Sequence, residues 1–151
     1  MPADGQAAGA FPDERLLREL RTRLLAPPPC APECVSAAAA GIELREDELT
    51  ITLTVHAAEE LALPAPWIDG WQPTRVALDG RADRPLQRGE DGVPRLRVPE
   101  GIHRVAMSGP VPAANELRLA FPIAPHRTTV TAPGWEVGGL QNGRIANGSL
   151  Q

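Results

Sequence analysis

The stretch GIELREDELTITLTVHA, residues 41 to 57, has the clearest pattern in this chain of 151 residues. Apolar and polar side chains alternate on both sides of the acidic turn sequence REDE, residues 45 to 48. The apolar set comprises Ile42, Leu44, Leu49, Ile51, Leu53 and Val55. A period of two is that of a strand with one buried face, so the stretch predicts a β-hairpin. Because a slip of one residue would bury Thr50, Thr52 and Thr54 instead, the register should be well determined.

Short strand-like segments separated by turn signals continue to the end of the sequence. Asp-Gly pairs at 69–70, 79–80 and 91–92 are typical of tight turns. We predict strands near 74–78, 84–88, 93–98, 102–108, 116–121, 127–132 and 135–140, with a hairpin turn at Gly101. Strands at this spacing, without alternating helices, predict a mainly β fold, an antiparallel β-sandwich over residues 35–151.

The N-terminal region has a different character. Residues 1–10 are small and polar and predict a flexible leader. The following PDERLLRELRTRLLA carries leucines at helical spacing after a Pro-Asp start, which predicts one amphipathic helix that ends at the prolines 27–29. The region 11–34 therefore combines a helix with a proline-rich corner that holds both cysteines. The helix either packs on the β domain or binds a partner or a membrane surface, and its mixed acidic and basic face argues against the membrane.

Cys30 and Cys34 lie four residues apart in this corner. A thioredoxin-like site needs C-x-x-C at a helix N-terminus, and a structural zinc site needs four ligands, so neither pattern fits well. Two buried free thiols are an alternative. We favour a local disulfide, because prolines turn the segment enough to bring the two Cα atoms within bonding range. That disulfide would imply an oxidising compartment.

Trp67, Trp71 and Trp135 are the largest side chains in an aromatic-poor chain. Trp67 and Trp71 share the loop PAPWIDGWQP, where two rings can stack on a sugar. All three tryptophans are candidate binding residues for a glycan or a protein partner. The alternative is that they fill the ends of the β domain.

Several function classes lack the residues that they need. All fifteen basic residues are arginine and the net charge is −4, which argues against nucleic acid and excludes lysine chemistry. No apolar run is long enough to span a membrane. The acidic pairs Asp47–Glu48 and Glu90–Asp91 fall on predicted turns, where carboxylates are usually solvated. We therefore predict no catalytic residue, no metal site and no cofactor.

Residues 75 to 109 resemble the PEGA-type surface repeats of bacteria. The matching residues are Val76, Leu78, Asp79 and Gly80, then Gly101, His103, Val105 and Gly109. The resemblance implies an Ig-like or PEGA-like β-sandwich on an envelope protein, and it implies no activity. More loosely, the layout is similar to large uncharacterised exported proteobacterial proteins.

These observations together predict a non-catalytic scaffold or interaction module of a larger bacterial envelope protein, in the periplasm or at the cell surface. The signal peptide would lie outside this sequence, and the partners would be other domains of the parent chain or an envelope protein. The alternative is a carbohydrate-binding accessory module that uses Trp67 and Trp71.

Overall fold

The computed structural model describes residues 13–26 and 34–151. The chain is mainly β, as the sequence predicts, with one described helix, α1 (Glu14–Leu25). The strands are β1 (Val35–Arg45), β2 (Glu48–Ala57), β3 (Leu61–Pro64), β4 (Trp67–Ile68), β5 (Arg75–Leu78), β6 (Gln87–Arg88), β7 (Pro94–Val98), β8 (Gly101–Pro110), β9 (Leu119–Ala120), β10 (Arg127–Thr131), β11 (Leu140–Gln141), β12 (Arg144–Ile145) and β13 (Ser149–Leu150).

A five-stranded sheet, the central sheet, is built around the predicted hairpin. Its strand order is β10-β1-β2-β8-β5, and only the β10–β1 pair is parallel. Leu44 lies opposite Leu49 and Ile42 opposite Ile51, so the hairpin has the register that the alternation requires. The turn at Glu46–Asp47 puts Glu46 at a φ of 50°, in the left-handed region. The prediction of this hairpin is confirmed.

Two three-stranded sheets and one small hairpin complete the described part of the chain. Their strand orders are β3-β7-β6 and β13-β9-β4, with β11-β12 as the hairpin. The apolar sides of the sheets meet in one hydrophobic cluster. The most deeply buried large side chains come from β2, β3, β7 and β8: Leu49, Ile51, Val55, Leu63, Leu96, Val98, Val105 and Met107.

Several details differ from the sequence prediction. The strands predicted at 84–88 and 116–121 are reduced to Gln87–Arg88 and Leu119–Ala120, and β10 pairs in parallel with β1. The segments on either side of Gly101 do not pair, because β7 joins β3 and β6 whereas β8 joins β2 and β5. Gly101 therefore lies where the chain passes from one sheet to another. The predicted strand at 135–140 is also absent apart from its last residue, since Gly138 and Gly139 interrupt it and Gly139 has a φ of 85°.

The helix begins at Asp13, whose carboxylate accepts a hydrogen bond from the amide of Leu16. That cap satisfies one of the free amides of the first turn. The prediction of an N-terminal helix is confirmed, yet α1 buries none of its residues. The predicted leader 1–10 and most of the proline-rich corner lie outside the described residues.

Candidate functional site

Trp71 lies in the protein interior. Its side chain is 5% exposed, and its indole Nε1 donates a hydrogen bond to the carbonyl of Pro110 over 3.1 Å. The loop that carries it crosses close above Gly109, where a Cβ would lie 3.0 Å from the Cα of Pro73. The absence of a side chain at Gly109 therefore lets the tryptophan loop dock on the end of β8. This burial favours the interpretation that Trp71 fills the interior of the β domain rather than stacking on a ligand.

Trp67 lies at the surface of a cleft of about 420 Å³. It belongs to β4 and pairs with Ala120 of β9, which fixes its backbone, and its side chain is half-buried. Asp69, Asp83 and Arg84 also line the cleft. Within residues 13–26 and 34–151, none of these three side chains makes an ion pair. The cleft thus combines one accessible indole with charged groups that are available to a polar ligand.

Trp135 lines a different opening, which we call the Trp135 groove. The groove has a volume of about 560 Å³ and lies over the Ile42–Leu44 end of β1. Its apolar lining consists of Ile42, Leu44, Leu49, Ile68, Leu117, Leu119, Val130, Ala132, Trp135, Val137 and Leu150. Val137 is 42% exposed, and Glu116 and Glu136 stand among the lining residues. The sequence indicated Trp135 here but not Val137 or the two glutamates, because nothing in the sequence brings 116 and 136 together.

The motif residues between 75 and 109 come together on β5 and β8. Leu78 pairs with Val105 and Val76 with Met107, so the aliphatic positions share the buried side of the central sheet. Asp79 and Gly80 form the turn after β5, with φ angles of 51° and 78°. This is the geometry that Asp-Gly pairs favour in two-residue turns.

The carboxylate of Asp79 connects that turn to β8 through two contacts. One carboxylate oxygen accepts the amide of Arg104 at 2.8 Å, and the other lies 2.7 Å from Nδ1 of His103. The Nε2 of the same imidazole lies 3.2 Å from the carbonyl of Glu100, so both ring nitrogens face acceptors. The hydrogen bond to Asp79 raises the pKa of His103 above its ordinary value. The amide of Arg104 and then His103 lower the pKa of Asp79.

An arginine binds one residue of each acidic pair, Asp47–Glu48 and Glu90–Asp91. Arg95 binds both carboxylate oxygens of Asp91, at 2.8 and 2.7 Å, and this hydrogen bonding lowers the pKa of Asp91 to about 2. Glu48 forms an ion pair with Arg75 at 2.5 Å. Glu48 and Asp91 thus each have a cationic partner, whereas Asp47 and Glu90 make no ion pair within the described ranges.

The structure describes only one of the two cysteines, Cys34. Cys30 lies outside the described residues, so the Cys30–Cys34 disulfide stays a prediction. Cys34 is half-buried just before β1, and its carbonyl accepts a hydrogen bond from the amide of Ala58 at 2.8 Å. This bond extends the β1–β2 pairing by one step toward the corner.

Within the described ranges, no cluster of three or more histidine, cysteine, aspartate or glutamate side chains is arranged to hold a metal ion. No described helix has the length and apolar character that a membrane span requires. No family model matches the chain, and no curated protein matches it either.

Proposed function

We propose that the chain is a non-catalytic interaction module of a larger bacterial envelope protein, with a PEGA-like β-sandwich as its scaffold. The observation that carries the proposal is the Trp135 groove, an apolar opening with an indole and an exposed valine at its surface. Aromatic side chains are enriched where proteins bind one another. The groove partner would be another domain of the parent chain or an envelope protein.

Two further observations support this class of function. One carboxylate of each acidic pair is bound by an arginine, Glu48 by Arg75 and Asp91 by Arg95, so neither pair offers a hydrolase two free carboxylates. The motif residues of the PEGA-type resemblance have structural roles: Asp79 and His103 tie a turn to a strand, and Gly109 admits the tryptophan loop. A surface repeat that presents binding faces needs residues of this structural kind.

Site-specific photocrosslinking in cells tests the proposal. A photoreactive phenylalanine analogue at Val137 should give one discrete crosslinked envelope product, which mass spectrometry then identifies. The matched control is the same analogue at Ile102, which is 73% exposed and does not line the groove. Equal crosslinking from both positions, or none from Val137, would contradict a groove-specific partner.

Location is tested separately. We propose the periplasm or cell surface, with Cys30 and Cys34 joined. Fractionation followed by a thiol titration without reductant should find the chain in the envelope fraction and no titratable thiol. Two reactive thiols on protein from that fraction would show that Cys30 and Cys34 are not joined.

The Trp67 cleft supports a second candidate function, glycan binding. A single accessible indole beside Asp69, Asp83 and Arg84 suits a sugar, whose apolar face stacks on the ring while its hydroxyls bind the charged groups. A glycan array should show saccharide retention that Trp67→Ala abolishes and Trp135→Ala preserves. Saccharide binding that persists unchanged in Trp67→Ala would exclude this cleft as the glycan site.

A further inference from the structure

Helix α1 presents an apolar face that covers nothing in the described structure. Leu16, Leu17 and Leu20 are 54%, 49% and 52% exposed, and Leu24 is 76% exposed. Their spacing places them along one side of the helix. A helix of 12 residues is only marginally stable in water on its own, even with the Asp13 cap and the Glu19–Arg23 ion pair. Such a helix is stabilised when its apolar face is packed.

The Trp135 groove has the complementary properties. Its lining is aliphatic and aromatic, and Glu116 and Glu136 add negative charge. Glu136 makes no ion pair with any residue in the described ranges. With about 3.6 residues per turn, Arg21 and Arg23 lie beside the leucine face of α1, whereas Arg15 and Arg18 lie on the far side of the helix. Arg21 makes no ion pair within residues 13–26 and 34–151, so the edge of the leucine face offers positive charge where the groove offers negative charge.

The position of the groove favours a second copy as the source of the helix. The groove lies over Ile42 and Leu44, whereas α1 joins β1 at the other end, before Val35. From Val35 to Leu44 a strand rises about 30 Å at roughly 3.3 Å per residue. The chain from Leu25 to Val35 reaches at most about 34 Å when fully extended. A helix docking in the groove of its own chain would therefore use nearly all of that reach, whereas a second copy has no such restriction.

We propose that helix α1 of one copy docks in the Trp135 groove of a second copy, and that the exchange is reciprocal. The inference rests on the proposed function, because it names the occupant of the same groove. The leucine face covers the groove lining, and Arg21 and Arg23 face Glu116 and Glu136. Reciprocal exchange forms two identical contacts, which makes a closed dimer rather than an open chain.

A complementation experiment with the full chain tests this arrangement. The helix variant is Leu17→Glu/Leu20→Glu, and the groove variant is Glu136→Arg/Val137→Arg. All four positions are exposed, so both variants should fold, and circular dichroism checks this. Sedimentation velocity should show a wild-type dimer and two variants that self-associate on the order of 100-fold more weakly, since each loses both of its contacts.

The mixture of the two variants gives the decisive result. The helix variant retains an intact groove and the groove variant retains an intact helix, so an equimolar mixture should form heterodimers through one remaining contact. The control Ile102→Glu should dimerise like the wild type. Failure of the mixture to form heterodimers overturns the proposal. A groove variant that dimerises as tightly as the wild type also overturns it, because pairing of two helices would produce that result.

Two other outcomes also overturn the proposal. A wild-type monomer in which α1 is protected from hydrogen exchange would show that the helix docks within its own chain. A wild-type monomer whose Val137 position crosslinks to another envelope protein would replace the occupant while leaving the proposed interaction module intact. If the chain forms no dimer and Val137 gives no crosslink, the proposed function as an interaction module is contradicted as well.

Discussion

The β1–β2 hairpin and helix α1 have equally clear sequence patterns, but they differ completely in burial. In β2 every second side chain from Leu49 to Ala57 is buried, whereas α1 buries none. Both patterns determine local structure through the same physical rule, that apolar side chains gather on one face. The difference shows that a periodic pattern predicts which secondary-structure element forms but not which surface that element packs against. The hairpin packs against other strands of its own domain, and we infer that the helix packs against a second copy of the chain.

The largest expected effect separates the two regions directly. Ile51→Ala should lower the free energy of unfolding by about 3 kcal/mol, because it leaves a cavity at a fully buried position. Leu20→Ala, measured where the chain is monomeric, should change it by less than about 0.5 kcal/mol. Urea denaturation followed by far-ultraviolet circular dichroism measures both values. Comparable losses for the two variants would place α1 in the folded core.

Trp67 in β4 and Trp71 in the turn that follows it offer a second contrast. Trp71→Phe should cost about 2 kcal/mol, since it removes the bond to the carbonyl of Pro110 and leaves that carbonyl without its partner. Trp67→Phe should cost less than half as much, because its ring is half-buried and keeps most of its contacts in phenylalanine. Thermal and urea unfolding of the two single variants compares them. A larger loss for Trp67→Phe would reverse the assignment of the buried ring.

The sequence predicted the hairpin, the turns at Asp-Gly and the mainly β class because these depend on local alternation and on backbone preferences. It did not predict that β7 and β8 lie in different sheets, or that β10 pairs in parallel with β1. Strand partners are chosen by contacts between residues far apart in the chain, which a local period does not contain. The same reason explains why Glu116 and Glu136 were missed, and why the burial of Trp71 was left open.

The Asp79–His103 contact predicts a dependence of stability on pH. The folded pKa of His103 is raised above 6.5, so its contribution is fully present below that pH and is lost as the pH rises through the folded pKa. The folded pKa of Asp79 is lowered below 3.8, so its contribution is present above that value and is lost as the pH falls through the folded pKa. Stability from this pair should therefore be greatest between about pH 4 and 6.5.

His103→Gln sharpens that prediction. The glutamine removes the titrating ring, so the decrease in unfolding free energy between pH 6 and 8 should become smaller than in the wild type. His56→Gln is the matched control, since His56 lies exposed on the neighbouring strand β2. Urea unfolding across this pH range gives the comparison. An unchanged slope in His103→Gln, or an equal change in His56→Gln, would contradict the role of the contact.

The smallest effect concerns the helix cap. Asp13→Ala removes the acceptor for the amide of Leu16, which should cost the helix about 1 kcal/mol. Because α1 buries nothing within the described chain, the unfolding free energy of the monomeric β domain should not change. The variant should lose helical circular dichroism and weaken the dimer while its urea midpoint as a monomer stays constant. A shifted midpoint would show that the helix supports the sheets.

The most direct test of the central claim, that the β sheets fold as a unit which does not require α1, is amide hydrogen exchange on the monomeric Leu17→Glu/Leu20→Glu variant. We predict that the amides of β2 and β8 keep the protection that they have in the wild type, while the amides of α1 exchange close to the rate of an unfolded chain. Loss of protection in β2 and β8 together with α1 would contradict the claim.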